Sequence, residues 1–318
     1  MKNTDELINS IKRKANAKIL LRRKRKKSLL FGLGICCGIA VLIGNYWDKF
    51  FLKGDRRFYF QDPNKKYTEA NYEMGIHIPK IRLEKSKNGI STCMIGLVVY
   101  KDNIYTQAQY INGDKSLKEK YVGNYIGRAK GNIDEYSGKD EYSKELASTV
   151  MGDVYTVKGY DENFRICTVQ EENGVVGVQF YEMLNGITFN RGEDLFGENR
   201  LNLKENWKGV SFVTHDDWDN NSYEEYEYAS LGCTQDEINK FLQRLYQGKF
   251  QYLYSNGDTV SIYNSENKQY HLFFNMKDGT TVELRLFENG YVGYQNLGWY
   301  FIKVDGEEFD KIIQSCVK

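Results

Sequence analysis

Past about residue 90, the chain is dominated by short apolar runs and by alternation of apolar with polar residues, a pattern that predicts strands. Residues 91–100 are β-branched and apolar, and 104–111 follow after a short turn, which predicts a hairpin. Residues 153–158, 164–170 and 175–181 predict three further strands, the last two joined by the turn-forming Glu171-Glu172-Asn173-Gly174. Between these groups, residues 116–145 are charged and punctuated by Gly123, Gly127, Gly131 and Gly138, and read as an irregular excursion. Residues 207–214 predict another strand, and 216–228 an acidic surface stretch.

At Thr234 the period changes from two to 3.6. Thr234-Gln235-Asp236-Glu237 is a capping box, and Ile238, Phe241, Leu242 and Leu245 keep helical spacing as far as Gly248. Strands are then expected at 250–254, 259–263, 270–276, 281–287, 291–295 and 299–304. Asn256-Gly257, Asp278-Gly279 and Asn289-Gly290 lie between them as hairpin turns. Phe309, Ile312, Ile313 and Cys316 predict a last short helix. The expected fold is α+β, mainly antiparallel β, with a C-terminal unit of helices packed on one face of a meander.

One segment breaks this pattern. Residues 28–47 hold no charged side chain, and about 20 such residues suffice for a helix to cross the hydrocarbon of a bilayer. They follow six consecutive basic residues, Arg22 to Lys27, and end in Tyr46-Trp47, aromatics suited to the headgroup level. The run is too long for a signal-peptide core, and Ile43-Gly44-Asn45 is a poor cleavage site. The positive-inside rule then places the N-terminus in the cytoplasm and the C-terminal domain outside the cell. The expected organisation is a basic tail at 1–27, a transmembrane helix at 28–47, a β-rich extracytoplasmic domain at 48–222 and an α+β unit at 223–318.

Charge sharpens this division. The net +1 of the chain conceals a tail with eleven basic and two acidic residues, +9, and a remainder with 33 basic and 41 acidic, −8. Leu7, Ile8, Ile11, Ala15 and Ile19 recur at helical spacings among the basic residues. That pattern suits a helix on the anionic inner leaflet or a docking helix for a cytosolic protein. The membrane accounts for the charge, so nucleic acid is not an expected partner. Gly34 and Gly38 form a small-xxx-small pair through which two membrane helices can pack as a homodimer.

The residues that could carry chemistry are sparse, and no catalytic site or cofactor is expected. His77, His215 and His271 belong to no metal or hydrolase motif. Cys93 invites comparison with sortase-type transpeptidases, but His77 is close upstream and no arginine follows until Arg128, so that pattern fails. The stretch from His215 to Asn221 is the best metal-like cluster: Asp217, Asp219 and Asn221 fall at positions one, three and five of a calcium loop, with Ser222 and Tyr228 where Gly and Glu belong. Cys93, Cys167, Cys233 and Cys316 are candidates for disulfides in an oxidising compartment, their pairing open. Tyr223, Tyr226, Tyr228 and the Trp299-Tyr300 pair read as cross-strand packing aromatics.

The phrases from Gly152 to Asp161, Phe164-Arg165 and Asp194-Leu195-Phe196 resemble uncharacterised membrane-anchored proteins of low-GC Gram-positive bacteria. Such proteins share the layout of membrane-bound anti-sigma factors. The resemblance implies a cell-envelope location and a regulatory, non-enzymatic role: an outer domain that senses or binds, with a tail that meets a cytosolic partner. A structural or adhesive envelope module is the alternative.

Overall fold

The computed structural model of the chain describes residues 74–81, 95–134, 137, 139–220, 226–253, 268–294 and 297–317, all within one compact unit, Arg56–Lys318. The basic tail, the uncharged run with Gly34 and Gly38, Cys93, Asn221 and the expected strand at 259–263 lie outside the described residues. Among those described, no helix is long and apolar enough to cross a membrane.

Three antiparallel sheets form the body. β1 (Ile76–Ile78) pairs with β8 (Ile187–Phe189). A six-stranded sheet runs β2-β3-β7-β6-β5-β4. Its members are β2 (Leu97–Tyr100), β3 (Asn103–Gly113), β4 (Val122–Lys130), β5 (Met151–Val157), β6 (Arg165–Glu172) and β7 (Val175–Glu182). β4 lies inside the expected irregular excursion. Its register slips twice against β5, between Val122 and Tyr125 and between Tyr125 and Gly127, and that irregularity together with its exposed edge hides the strand period. The turn at Asn173-Gly174 has φ of 52° and 80°, the left-handed pair that a tight hairpin demands.

The third sheet has seven strands in the order β10-β9-β12-β13-β14-β15-β11. β9 (Trp207–Thr214) and β10 (Ala229–Ser230) join β11 (Phe250–Tyr252), β12 (Gln269–Met276), β13 (Thr281–Phe287), β14 (Tyr291–Tyr294) and β15 (Tyr300–Lys303). β12 to β15 make the expected meander, turned at Gly279 and Gly290 with φ of 85° and 84°. Because β9 pairs with β12 along its length, the expected boundary at residue 222/223 falls within this sheet, and no separate C-terminal unit begins there. The reason is topological: β9 lies between β10 and β12, and β12 comes later in the chain than both β10 and β11.

Alternation decides what each face of this sheet meets. Leu272, Phe274, Val282, Leu284, Leu286, Val292 and Ile302 point to one side and are buried. There they meet α6 (Gln235–Gln247) through Ile238, Phe241, Leu242 and Leu245, and α7 (Glu307–Cys316) through Phe309, Ile312, Ile313 and Cys316. Full burial of such side chains contributes roughly 2 kcal/mol each. The capping box of α6 forms as expected, with Thr234 accepting from the Glu237 amide and Glu237 accepting from the Thr234 amide. Five shorter helices complete the described fold: α1 (Ser116–Tyr121), α2 (Lys139–Tyr142), α3 (Glu193–Phe196), α4 (Leu203–Asn206) and α5 (His215–Asn220).

Candidate functional site

The other face of the seven-stranded sheet carries Gln269, His271 and Phe273 on β12 and Glu283, Arg285 and Phe287 on β13. His271 and Arg285 are directly cross-strand, as are Phe273 and Glu283. In an alternating strand such polar positions ordinarily face water. Here His271 is 2% exposed, because α5 lies across β9 and β12 and covers it. The acidic stretch expected at 216–228 therefore begins as a helix seated on the sheet. Thr214 and Asp217 hold its first turn: the Thr214 hydroxyl donates to the Asp217 carboxylate at 2.7 Å and accepts from the Asp217 amide at 3.1 Å.

Under α5 runs a continuous polar chain. Arg285 Nη2 lies 3.1 Å from His215 Nε2, His215 Nδ1 3.0 Å from His271 Nε2, and His271 Nδ1 2.7 Å from Glu283 Oε1. Arginine only donates, and this orders every proton in the chain. His215 Nε2 must be the bare nitrogen, so its Nδ1–H donates to His271 Nε2. His271 then carries its proton on Nδ1 and donates it to the Glu283 carboxylate. The guanidinium is fixed in turn by Gln269, whose Oε1 accepts from Arg285 Nε at 2.9 Å. Trp218 of α5 lies flat over His271, centroids 4.4 Å apart at 5°, and its indole also donates to Glu283.

The electrostatics follow from this burial. Desolvation first, then Arg285 and His271, push the His215 imidazole down to about 3. Desolvation and Arg285 hold His271 well below the ordinary histidine range. Desolvation raises Glu283 to about 7, against the opposing pull of Arg285 and the Trp218 hydrogen bond. Above that pH the cluster holds two neutral imidazoles between a guanidinium and a carboxylate.

The two imidazoles meet in line. Their planes differ by 18°, and their centroids, 5.2 Å apart, are separated by the nitrogen distance plus about two ring radii. That is the geometry of a hydrogen bond, whereas two nitrogens converging on a shared ion would be angled toward it. Among the described residues, no group of three or more His, Cys, Asp or Glu is placed to hold a metal ion. Asp217 and Asp219 both lie on α5, two positions apart and so on different sides of a helix. Asn221 is outside the described residues. Cys167, Cys233 and Cys316 are free thiols here. Cys167 is buried and pushed up to about 12 by desolvation, and Cys233 Sγ sits 2.9 Å from Ser315 Oγ on α7. His77 lies on β1 beside Thr188, at 3.1 Å. Tyr226 and Tyr228 pack on Phe273, at 6.0 and 5.1 Å, on the same outer face.

A second buried polar cluster lies where the two large sheets meet. Arg165 of β6 and Glu182 of β7 are cross-strand partners and form an ion pair, 5% and 0% exposed. Tyr294 of β14 donates to both oxygens of Glu182, at 3.0 and 3.2 Å. The guanidinium rests on the Tyr160 ring at 4.1 Å, and Tyr160 reaches across to Asp278 in the β12–β13 turn at 2.7 Å.

Sequence reasoning reached His215 and Asp217 as part of an acidic cluster, named His271 without giving it a role, and missed Glu283, Arg285 and the Arg165–Glu182 pair. The available signal was the run Thr281-Val282-Glu283-Leu284-Arg285-Leu286, whose polar positions needed a cover. No family model, curated protein or solved structure matches the chain.

Proposed function

We propose that the chain is a single-pass membrane protein, N-terminus in the cytoplasm, with a non-enzymatic extracytoplasmic domain that senses or binds and a basic tail that meets a cytosolic partner, in the manner of an anti-sigma regulator. The observation that carries this reading is the uncharged run 28–47 set directly behind six basic residues, with a −8 remainder beyond it. The described domain is compatible with it. Its most distinctive buried cluster has both nitrogens of His215 and of His271 engaged by protein partners under an indole, an arrangement suited to holding a helix rather than turning over a substrate. Gly34 and Gly38 offer a close-approach face for a second copy.

Epitopes placed before Met1 and after Lys318 test the topology in intact cells. External protease is expected to remove only the C-terminal one, and loss of both or of neither overturns the reading. Crosslinking from the 1–27 segment in living cells then separates a signalling tail from the adhesive alternative. A tail that signals captures a cytosolic protein and does not survive replacement by an unrelated basic sequence.

A further inference from the structure

We infer that α5 is an acid-released latch, pinned to the outer face of the seven-stranded sheet by a hydrogen-bonded chain, Arg285–His215–His271–Glu283, in which neither histidine can take a proton without breaking a contact. Two side chains of α5 itself pin it, His215 through Arg285 and His271, and Trp218 through Glu283. The described titratable groups around the histidines come from three elements. β13 supplies Glu283 and Arg285, α5 supplies His215 together with Asp216, Asp217 and Asp219, and β9 sets the apolar Val213 opposite His271.

The chain has three junctions, and each already holds the one hydrogen that it needs. Add a proton at the Glu283–His271 junction and His271 must turn its Nε2 into a donor. His215 then accepts at Nδ1 and carries its hydrogen on Nε2, where it meets the Nη2–H of Arg285, donor against donor. The result is the same whether the proton resides on Glu283 or on His271. If instead it settles on the far oxygen of Glu283, the order of the chain survives and α5 stays seated, so release requires a proton on a histidine.

The pH window follows from the shifts. Burial places the first proton on the Glu283–His271 pair below about 7. The depressed histidines add none while α5 is seated, whereas a lifted α5 leaves both free to protonate near their ordinary value of about 6.5. Between roughly 6.5 and 4.5 the lifted form thus holds one proton more, so its population relative to the seated form rises about tenfold per pH unit. Lifting α5 uncovers His271, two positions along β12 from the Phe273 ring on which Tyr226 and Tyr228 pack.

The test is hydrogen–deuterium exchange of the full chain in detergent at pH 7.5 and 5.5, corrected for intrinsic exchange. Protection of residues 215–220 is expected to fall about fourfold at pH 5.5, two histidine protons of the lifted form set against one on Glu283 of the seated form, while α6 and α7 keep theirs. In Glu283→Gln, whose amide oxygen can still accept from His271 but which takes up no proton, the fall in α5 protection between the two pH values is expected to exceed that of the wild type. Should that variant fail to fold, nitrogen-15 spectra of the wild-type histidines decide the matter. At pH 8, His215 and His271 must both be the Nδ1–H tautomer. Equal protection of α5 at the two pH values, or the opposite tautomer at either histidine, overturns the latch.

Discussion

Among its described residues the protein buries two acid–base clusters, and they differ in the base. At the junction of the sheets, Glu182 meets Arg165, which stays charged at any pH the fold survives. Under α5, Glu283 meets His271, a base that burial keeps neutral and that takes a proton near neutrality only once uncovered. The first cluster is also locked from both sides, by Tyr294 and by the Tyr160 ring. The second is covered by one six-residue helix. Identical carboxylates thus serve opposite ends: a joint that holds the two sheets together, and a cover that answers to pH.

The largest effect should come from the joint. Glu182→Gln leaves Arg165 charged and buried, and is expected to cost about 3–5 kcal/mol in urea unfolding at pH 7.5. Replacing both partners, Arg165→Met with Glu182→Leu, should recover most of that loss, since an apolar pair needs no desolvation of charge. If the single variant costs under ~1 kcal/mol, the joint is not the fixed point that the comparison takes it to be. Trp218→Ala should cost less, about 2 kcal/mol, through the lost ring stacking and the lost hydrogen bond to Glu283. Its effect belongs to α5, so exchange should quicken at 215–220 and leave β6 and β7 unchanged.

How much of each cluster was legible in the sequence depends on how local its signals are. The capping box at Thr234, the turns at Asn173-Gly174, Asp278-Gly279 and Asn289-Gly290, and the apolar face of α6 are each written within a few residues, and they form as read. The partnership of His215 with His271 spans 56 residues and that of Glu182 with Tyr294 spans 112. Such pairs are set by strand order, which nothing local specifies. Alternation along β13 told which residues share a face but not that α5 would roof it. β4 stayed hidden for the complementary reason: bulges and an exposed edge blur the period of two.

The pH dependence separates the clusters more sharply than any substitution. Depressed histidine values mean that the folded state refuses protons that the unfolded chain accepts, so this stability is complete above about 6.5 and is lost as pH falls. Glu283 opposes the loss, because its raised value lets the folded state take one proton below about 7. The balance, two protons against one, predicts a fall of about 1.4 kcal/mol per pH unit between roughly 6.5 and 4.5. Urea midpoints across that range should show it. His215→Asn with His271→Gln should reverse the slope, since Glu283 alone then titrates, whereas the Arg165→Met, Glu182→Leu pair should leave it intact.

The smallest effect is the most selective. Thr214 holds only the first turn of α5, through its reciprocal contacts with Asp217, and it touches neither the proton chain nor the joint. Thr214→Val keeps the β-branched shape that suits the end of β9 and deletes the hydroxyl. The lost cap should cost about 0.5–1 kcal/mol, and that cost falls on the seated helix alone. The pH at which α5 loses half its exchange protection should therefore rise by about half a unit, as tenfold per unit requires. Global unfolding at pH 7.5 should move by no more than the cap itself. If the α5 transition stays where it was, the helix is not in equilibrium between seated and lifted forms, and the two clusters are both fixed joints after all.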